Sequence, residues 1–358
     1  MRDIRAMQIV DSLNVGGAEV LAVNIANGLA EKNITSHLCA TRKEGLLKEN
    51  IASNVGYLYL DRKKVFDFGA LWRLRKYMVA NDINTLHAHA SSWFIAFCIK
   101  MLRPSLKLIW HDHFGNSDYL SERKTFPLAV FSYFFSKILV VNSSLKNWAE
   151  SKLHCKDVLL LNNFAFFEKK EAVTVLKGIA GKRIVHLAGF REQKDHLNLL
   201  EAFKKIKETQ TDWTLHLIGK DYEDAYSMKV KEFIKFNHLE TSVFLYGVCS
   251  DIEPILSQAT IGVLSSKSEG LPVALLEYGL AKLPVVVTNV GECSAVVQHN
   301  ATGILVEALN PGKLAEGIEL LIMSRTKREK LSLSINKKVI EGYSKEIFLE
   351  KIVNIYKC

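Results

Sequence analysis

Six cysteines are scattered over 358 residues, and no two of them form a C-x-x-C pair. Cys39, Cys98, Cys155, Cys249, Cys293 and Cys358 follow no framework spacing, which excludes a disulfide scaffold and points to free thiols in a reducing compartment. The N-terminal stretch MRDIRAMQIVDSLNVGGAE has no long apolar segment and no small-residue cleavage site, so a secretory signal is not expected. The longest apolar run, FPLAVFSYFFSKILVV from Phe126 to Val141, contains Pro127 and Lys137 and falls short of the roughly 20 residues a bilayer span needs. It reads as a buried or interfacial helix running into a strand. Zinc-finger spacing, RNP-type aromatic motifs, long basic runs, short repeats and low-complexity tracts are all missing, which removes nucleic acid as an expected partner. D-x-D is missing too. The nearest stretch, Asp251 to Glu253, precedes Pro254 and reads as a helix start.

Apolar residues make up 48% of the chain and charged residues 24%, ordinary values for a globular protein. The length suggests two domains rather than one core. Both halves alternate short apolar strands with amphipathic helices. MQIVDSL, INTLHAH, LKLIWHDH, KILVVNSS and DVLLLNNF read as strands in the first half. After the polar link FFEKKEAVTVLKGIAGK come the strands RIVHLAG, WTLHLIG, VFLYG, TIGVLSS and LPVVVT. Leu21, Ile25 and Leu29 mark one face of an early helix, and Leu197, Leu200 and Phe203 that of a later one; a further helix is expected near Ala225 to Asn237. Such alternation predicts an α/β fold with a parallel, doubly wound sheet in each half, and ligands at the carboxyl ends of the strands. The net charge of +9 is uneven: residues 1–165 hold 21 Lys/Arg against 14 Asp/Glu. That bias marks either a solvated surface or a face for an anionic partner, and among such partners a peripheral contact with anionic lipid fits best.

Four stretches carry chemistry. In VGGAE, Gly16 and Gly17 stand between a strand and a helix N-terminus, which makes either a plain tight turn or a close approach for a phosphate. Glu19 there complements the helix dipole. In LAGFREQKDH, Lys194 follows a strand and precedes a helix, with Arg191 as a second cation; such a lysine is a surface charge or a neutraliser of diphosphate. IWHDHFGNSD places His111, Asp112 and His113 at a strand end, suited to proton transfer or polar substrate contact. His111 and His113 share a face, and one of them can be merely structural; His87 and His89 in LHAHASS pose the same question. H-x-H can ligate a metal, yet no further cluster at ligand spacing accompanies it, so no metal is expected. Finally, SEGLPVALLEYGLAKLPVVVT sets Glu269 before a Gly270-Leu271-Pro272 turn and Glu277 inside an apolar helix, with Pro272 suited to its first position. A glutamate amid such residues is rarely buried without a partner. A sugar nucleotide would use both acids: phosphates on the helix N-terminus, hydroxyl donors on acceptor-only carboxylates.

The stretch SEGLPVALLEYGLAKLPVVVTNVGE closely resembles the E-x7-E region of the retaining glycosyltransferases of family 4, which have the GT-B fold. LAGFREQKDHLNLLEAF is similar to the segment carrying that family's phosphate-binding lysine. GGAE, WHDHF and the terminal FLEKIVNIYKC fit the same family, so the resemblance spans the chain. It implies two Rossmann-like domains facing across a cleft: residues 1–165 for the acceptor, 166–340 for the nucleotide sugar, and a closing helix, 341–358, crossing back to the first. It implies Glu277 on the ribose, Lys194 on the diphosphate with Arg191 as the candidate substitute for the family's second cation, Gly16 and Gly17 near the phosphates, and Gly270, Leu271 and Pro272 along the donor. Glu269 would face the transferred sugar, and His113, with His111 in reserve, would be the active-site histidine. Glu19, His89 and His111 would lie on the acceptor side. The family usually needs no metal.

The implied activity moves a sugar, from UDP by preference, to a glycan or lipid-linked acceptor of surface polysaccharide synthesis, in the cytoplasm or at the inner membrane face. One departure stands out: Gly189 occupies the position where the family often has an arginine paired with the lysine. It keeps open a non-catalytic sugar-nucleotide-binding protein, beside the other rivals, a nucleotide-sugar epimerase or a sugar phosphorylase of the same fold.

Overall fold

The computed structural model describes residues 3–114, 117–167 and 170–357. Contacts divide them into two units, Met1–Asn163 with Lys345–Cys358, and Phe164–Ser344. The first crossing therefore falls two residues before the 165/166 boundary expected from sequence, and the return falls at Lys345 rather than 341. The polar link joins the second unit instead of bridging freely: the Asp251 carboxylate accepts from the amides of Val173 and Thr174 at 2.9 and 2.6 Å. Asp251 also caps a short helix, as the helix-start reading of that stretch anticipated.

The first unit runs β1 (Arg5–Ser12), α1 (Gly17–Glu31), β2 (Thr35–Lys43), β3 (Gly56–Tyr59), α2 (Phe68–Ala80), β4 (Thr85–His89), α3 (Trp93–Leu102), β5 (Lys107–Asp112), α4 (Leu128–Phe131), β6 (Lys137–Val140), α5 (Ser143–Lys152) and β7 (Val158–Leu160). Its strands form one parallel sheet in the order β3-β2-β1-β4-β5-β6-β7. The order reverses direction beside β1, and at such a switch point the carboxyl ends of neighbouring strands open a crevice. The second unit runs β8 (Arg183–Leu187), α6 (His196–Lys207), β9 (Thr214–Ile218), α7 (Ala225–Phe236), β10 (Val243–Gly247), α8 (Ile252–Ser257), β11 (Ile261–Leu264), α9 (Val273–Leu280), β12 (Val285–Thr288), α10 (Cys293–Val296), β13 (Ile304–Val306), α11 (Pro311–Met323) and α12 (Arg325–Tyr343). Its parallel sheet has the order β10-β9-β8-β11-β12-β13, with a switch point between β8 and β11.

Both sheets are buried on two faces, which is why their central strands read as continuous apolar runs. Ile184, Val185, Val263, Val286 and Val287 are fully buried in the second unit, as are Met7, Ile9, Leu86 and Leu108 in the first. The last helix, α13 (Lys345–Lys357), packs on α1 of the first unit: an added Cβ at Gly28 would meet the Leu349 side chain at 2.5 Å, so only glycine admits it there. The run from Phe126 to Val141 departs from its expected form. It holds only the four-residue α4, a short 3-10 turn and β6, and Phe126, Val130, Tyr133 and Phe134 are exposed. Cys39, Cys98, Cys155, Cys249 and Cys293 are free thiols, and Cys358 lies outside the described residues.

Candidate active site

In the second unit the site is built where β11 ends. Ser265 and Ser266 leave the strand fully buried, and their hydroxyls organise the loop beyond it. The Ser265 hydroxyl lies 3.0 Å from the carbonyls of Lys194 and Asp195, and the Ser266 hydroxyl donates to Glu269 Oε1 at 2.6 Å. The Lys267 amide donates to the Gln193 carbonyl at 2.8 Å. The turn carrying Lys194 and the loop carrying Glu269 are thus sewn together. Asp195 helps set that turn with a left-handed φ of 48°, a conformation that aspartate tolerates better than most residues.

The consequence is a close ion pair. Lys194 Nζ donates to both oxygens of Glu269, at 2.6 and 2.7 Å. An ammonium has three donors, so one is left for a ligand. Behind the pair, Gly291 holds the loop. Its φ is 51°, and an added Cβ would fall 1.9 Å from the Glu269 carbonyl. The Glu292 amide donates to the Gly270 carbonyl at 2.9 Å. Leu271 is buried in the core beside α9. Pro272 does not take the first helical position expected for it. Its ψ of 123° makes it the N-cap, and the helix starts at Val273.

Glu277 is the fifth residue of α9 and half-buried. Its carboxylate has no hydrogen-bond or ion-pair partner among the described residues, and burial pushes its pKa up to about 7. Arg191 pairs with Tyr222. Its guanidinium donates to the Tyr222 hydroxyl at 3.0 and 2.5 Å and lies over that ring. Tyr222 also fills the space in front of Gly189, where an added Cβ would sit 3.2 Å from the ring.

In the first unit, Gly16 is the N-cap of α1 and Gly17 its first residue. Space beyond Gly17 is open, with nothing within 4 Å of an added Cβ, whereas the Glu19 carboxylate folds back over Gly16. Burial lifts the Glu19 carboxyl above its usual range.

The four histidines form one stack at the ends of β4 and β5. His87 lies against His89 and His111, and His113 against His89 and His111, with ring centroids 4.2–5.3 Å apart. Burial lowers the pKa of every one, to about 3 for His87 and His113, so all are neutral near pH 7. His89 and His111 are 1% and 0% exposed. Both lie inside the stack, and His113 is its half-buried outer member. By distance, His87, His89 and His111 could hold a metal ion, with ring nitrogens within 4.8 Å of one another. Their rings, however, lie 9–35° from parallel, so lone pairs in those planes run side by side instead of meeting at one point.

Several polar partnerships here escape sequence reading. Asp11, at the end of β1, accepts from Thr41, Ser91 and the buried Arg62 at 2.5, 2.7 and 3.0 Å. Asp112 is held by Arg123 at 2.5 and 3.0 Å. Gln8 and Tyr356 bond into the histidine stack. A glutamine inside a strand buried on both faces is itself a signal, since it must find partners; nothing in the sequence marks Tyr356.

Residues 15–162 match the family model described as Glycosyltransferase Family 4, and residues 175–338 match that of Glycosyl transferases group 1. The chain belongs to the family 4 glycosyltransferases. Among relatives of this glycosyltransferase is the capsular polysaccharide biosynthesis glycosyltransferase CapH of Staphylococcus aureus, 27% identical over 89% of this chain and 91% of CapH. A shorter match, 29% identical over 56% of this chain, spans 53% of the N-acetyl-alpha-D-glucosaminyl L-malate synthase of Bacillus anthracis. Among solved structures, HepE of Anabaena in complex with UDP and glucose superposes with a TM-score of 0.80 at 15% identity, over 99% of both chains. That likeness places the glycosyltransferase in the GT-B fold expected from its sequence.

Proposed function

We propose that this glycosyltransferase moves a sugar from a nucleotide diphosphate, with retention of configuration, to a glycan or lipid-linked acceptor in cell-surface polysaccharide synthesis. The observation that carries the reading is Glu277, a half-buried carboxylate without a partner among the described residues, in a helix that starts beside the Lys194–Glu269 pair. A ribose diol offers two donors, and an ionised carboxylate offers only acceptors. The N–H groups opening α9 and the remaining donor of Lys194 would take the diphosphate and stabilise charge as it leaves. Glu269, pinned by Lys194 and Ser266, would accept from hydroxyls of the transferred sugar, and Gly270, Leu271 and Pro272 would supply the wall. Gly16 and Gly17 would lie near the phosphates, with Glu19 toward the acceptor and His113 toward the transferred sugar. In this scheme fixed cations and dipoles do the work, and no metal is invoked. CapH is named for capsular polysaccharide and HepE is described with UDP, which supports a surface glycan as product and a UDP-sugar as donor.

A peripheral contact with anionic membrane belongs to the same proposal. No helix among the described residues is long and apolar enough to cross a membrane. The first unit nevertheless exposes Phe66 at 69%, Phe68 at 79% and Trp72 at 63%. Phe66 continues through Phe94 to Phe131, with centroids 5.4 and 6.0 Å apart. Exposed Lys63, Lys64 and Lys76 border this aromatic surface along the chain, a combination suited to anionic headgroups.

The deciding experiment measures thermal shift and calorimetric binding of UDP, GDP, ADP and CMP sugars to the wild type and Glu277→Gln. One nucleotide class should stabilise the wild type, with about tenfold weaker binding to the variant, the worth of one charge-assisted hydrogen bond. Equal binding by both proteins would sink the ribose assignment. Conversion of the donor without acceptor would indicate an epimerase, and dependence on inorganic phosphate a phosphorylase.

A further inference from the structure

Gly189 leaves a gap at the end of β8, and the loop after β9 fills it. The two strand ends are locked together: the Ala188 amide donates to the Ile218 carbonyl and the Phe190 amide to the Lys220 carbonyl, both at 2.9 Å. The Asp221 carboxylate takes the Glu223 amide at 2.8 Å and pairs with Lys231, which fixes the loop that presents Tyr222. The Tyr222 ring stands where a side chain at 189 would go. Two cations converge on that ring. Arg191 Cζ lies 4.9 Å and Lys220 Nζ 5.0 Å from its centroid, so the charges are no more than about 10 Å apart, one Debye length at 0.1 M salt. Neither has a carboxylate within ion-pair distance among the described residues, because Asp221 is taken by Lys231 and Glu192 faces Lys267. A guanidinium only donates, so the Tyr222 hydroxyl must accept from Arg191, and the contact has one possible direction. It uses two N–H groups of Arg191 and leaves three of the five for a ligand.

We propose that the loop after β9 supplies the second cationic arm of the diphosphate site: Tyr222 is a positioning residue that occupies the place of a side chain at 189 and carries Arg191, with Lys220 beside it, to the phosphates. This rests on the reading of Lys194 as the diphosphate lysine. Lys194 cannot neutralise a diphosphate alone, since Glu269 already counters its charge and takes two of its three donors. A multiply charged group made only of acceptor oxygens needs further charged donors, and Arg191 and Lys220 have them to give. Arg191 also leaves the same turn as Lys194, whose amide donates to the Arg191 carbonyl at 2.9 Å. Gly189 is then the condition of the arrangement and not a lost contact: a side chain there would push the ring aside and take Arg191 with it. The cluster would read phosphate and be indifferent to base, ribose and sugar.

The test measures calorimetric binding of inorganic pyrophosphate, and of uridine and guanosine with their mono- and diphosphates, to the full chain. The proteins compared are the wild type, Arg191→Gln, Lys220→Gln, Tyr222→Phe, the Arg191→Gln/Tyr222→Phe pair and Lys194→Gln. Arg191→Gln and Lys220→Gln should each raise the Kd for the preferred nucleoside diphosphate and for pyrophosphate about tenfold, and leave the bare nucleoside within about twofold. Tyr222→Phe keeps the ring and removes the hydroxyl. It should weaken the diphosphate about threefold to tenfold and add nothing once Arg191 is glutamine, because it acts only through that residue. General loosening would instead weaken nucleoside and diphosphate alike. As a rescue, Gly189→Arg is combined with Tyr222→Ala and Arg191→Gln, where the ring no longer fills the gap. Diphosphate affinity should then return to within about threefold of the wild type; no recovery would overturn the placing of Tyr222 in the stead of a side chain at 189. If Lys194→Gln weakens the diphosphate while Arg191→Gln and Lys220→Gln do not, the lysine keeps its role and the second arm falls. If none of the three matters, or the wild type binds no diphosphate, both readings fall together.

Discussion

With its carboxyl lifted from an ordinary 4.5 to about 7, Glu277 binds a proton more readily in the folded chain than in the unfolded one. Stability drawn from this group is therefore present below pH 4.5 and is lost as pH rises through 7. Discounted for the part left to solvent, the loss is on the order of 2 kcal/mol. Glu277→Gln should then match the wild type near pH 4.5 and melt about 4–8 °C above it at pH 8. A nucleotide whose ribose needs the ionised carboxylate should release a proton on binding at pH 6, visible as a buffer-dependent enthalpy in calorimetry. Buffer-independent heat would mean that the ligand does not touch this acid. Glu277, Glu269 and Lys194 were all legible in the sequence, because an acid in an apolar helix and a lysine between strand and helix stand out against their surroundings. The ranking of the histidines was not. Alternation along β4 and β5 says which face a side chain takes, but depth along the stack depends on neighbouring strands. The Arg191–Tyr222 contact was equally invisible, since residues 31 positions apart meet there through the fold.

Among the elements, the loop between β11 and α9 depends on a turn that lies beyond β12. Gly291 can approach the Glu269 carbonyl only because it has no side chain, and its left-handed backbone adds to the requirement. Gly291→Ala should cost about 2–3 kcal/mol, combining backbone strain with a clash against main chain. The displaced loop should also weaken nucleotide-sugar binding, while UDP-independent features such as the far-ultraviolet dichroism stay unchanged. A variant with wild-type melting and wild-type binding would show that the turn does not hold the loop. Most strands of the two sheets could be read from their apolar runs. β2 and β3 could not: TSHLCATRK and GYLY are dotted with polar residues, yet Ser36 and His37 are buried because β2 lies inside the sheet. α12 is also quiet in the sequence. Most of its 19 residues are polar, and only Leu331, Ile335, Val339 and Tyr343 turn inward.

For the whole molecule, the basic and aromatic surface of the first unit makes a claim that vesicles can check. The full chain should sediment with phosphatidylglycerol vesicles and not with phosphatidylcholine, and binding should fall as salt rises, at about 1 kcal/mol per lysine near the surface. Replacing Phe66, Phe68 and Trp72 by serine should reduce it about tenfold or more. Indifference to both headgroup and substitution would remove the membrane from the proposed function. A last consequence comes from the way the chain changes units. Phe164 to Ser344 is one uninterrupted stretch, and its ends meet: the Ala165 amide donates to the Tyr343 carbonyl at 3.3 Å, and Ala165 pairs with Ser344. The second unit is thus an insert with a closed neck. Two cuts made at nearly one point in space would lift it out whole and let another take its place. If the proposed division of labour holds, what such an enzyme gives away and what it gives it to can be inherited separately, one recombination at a time.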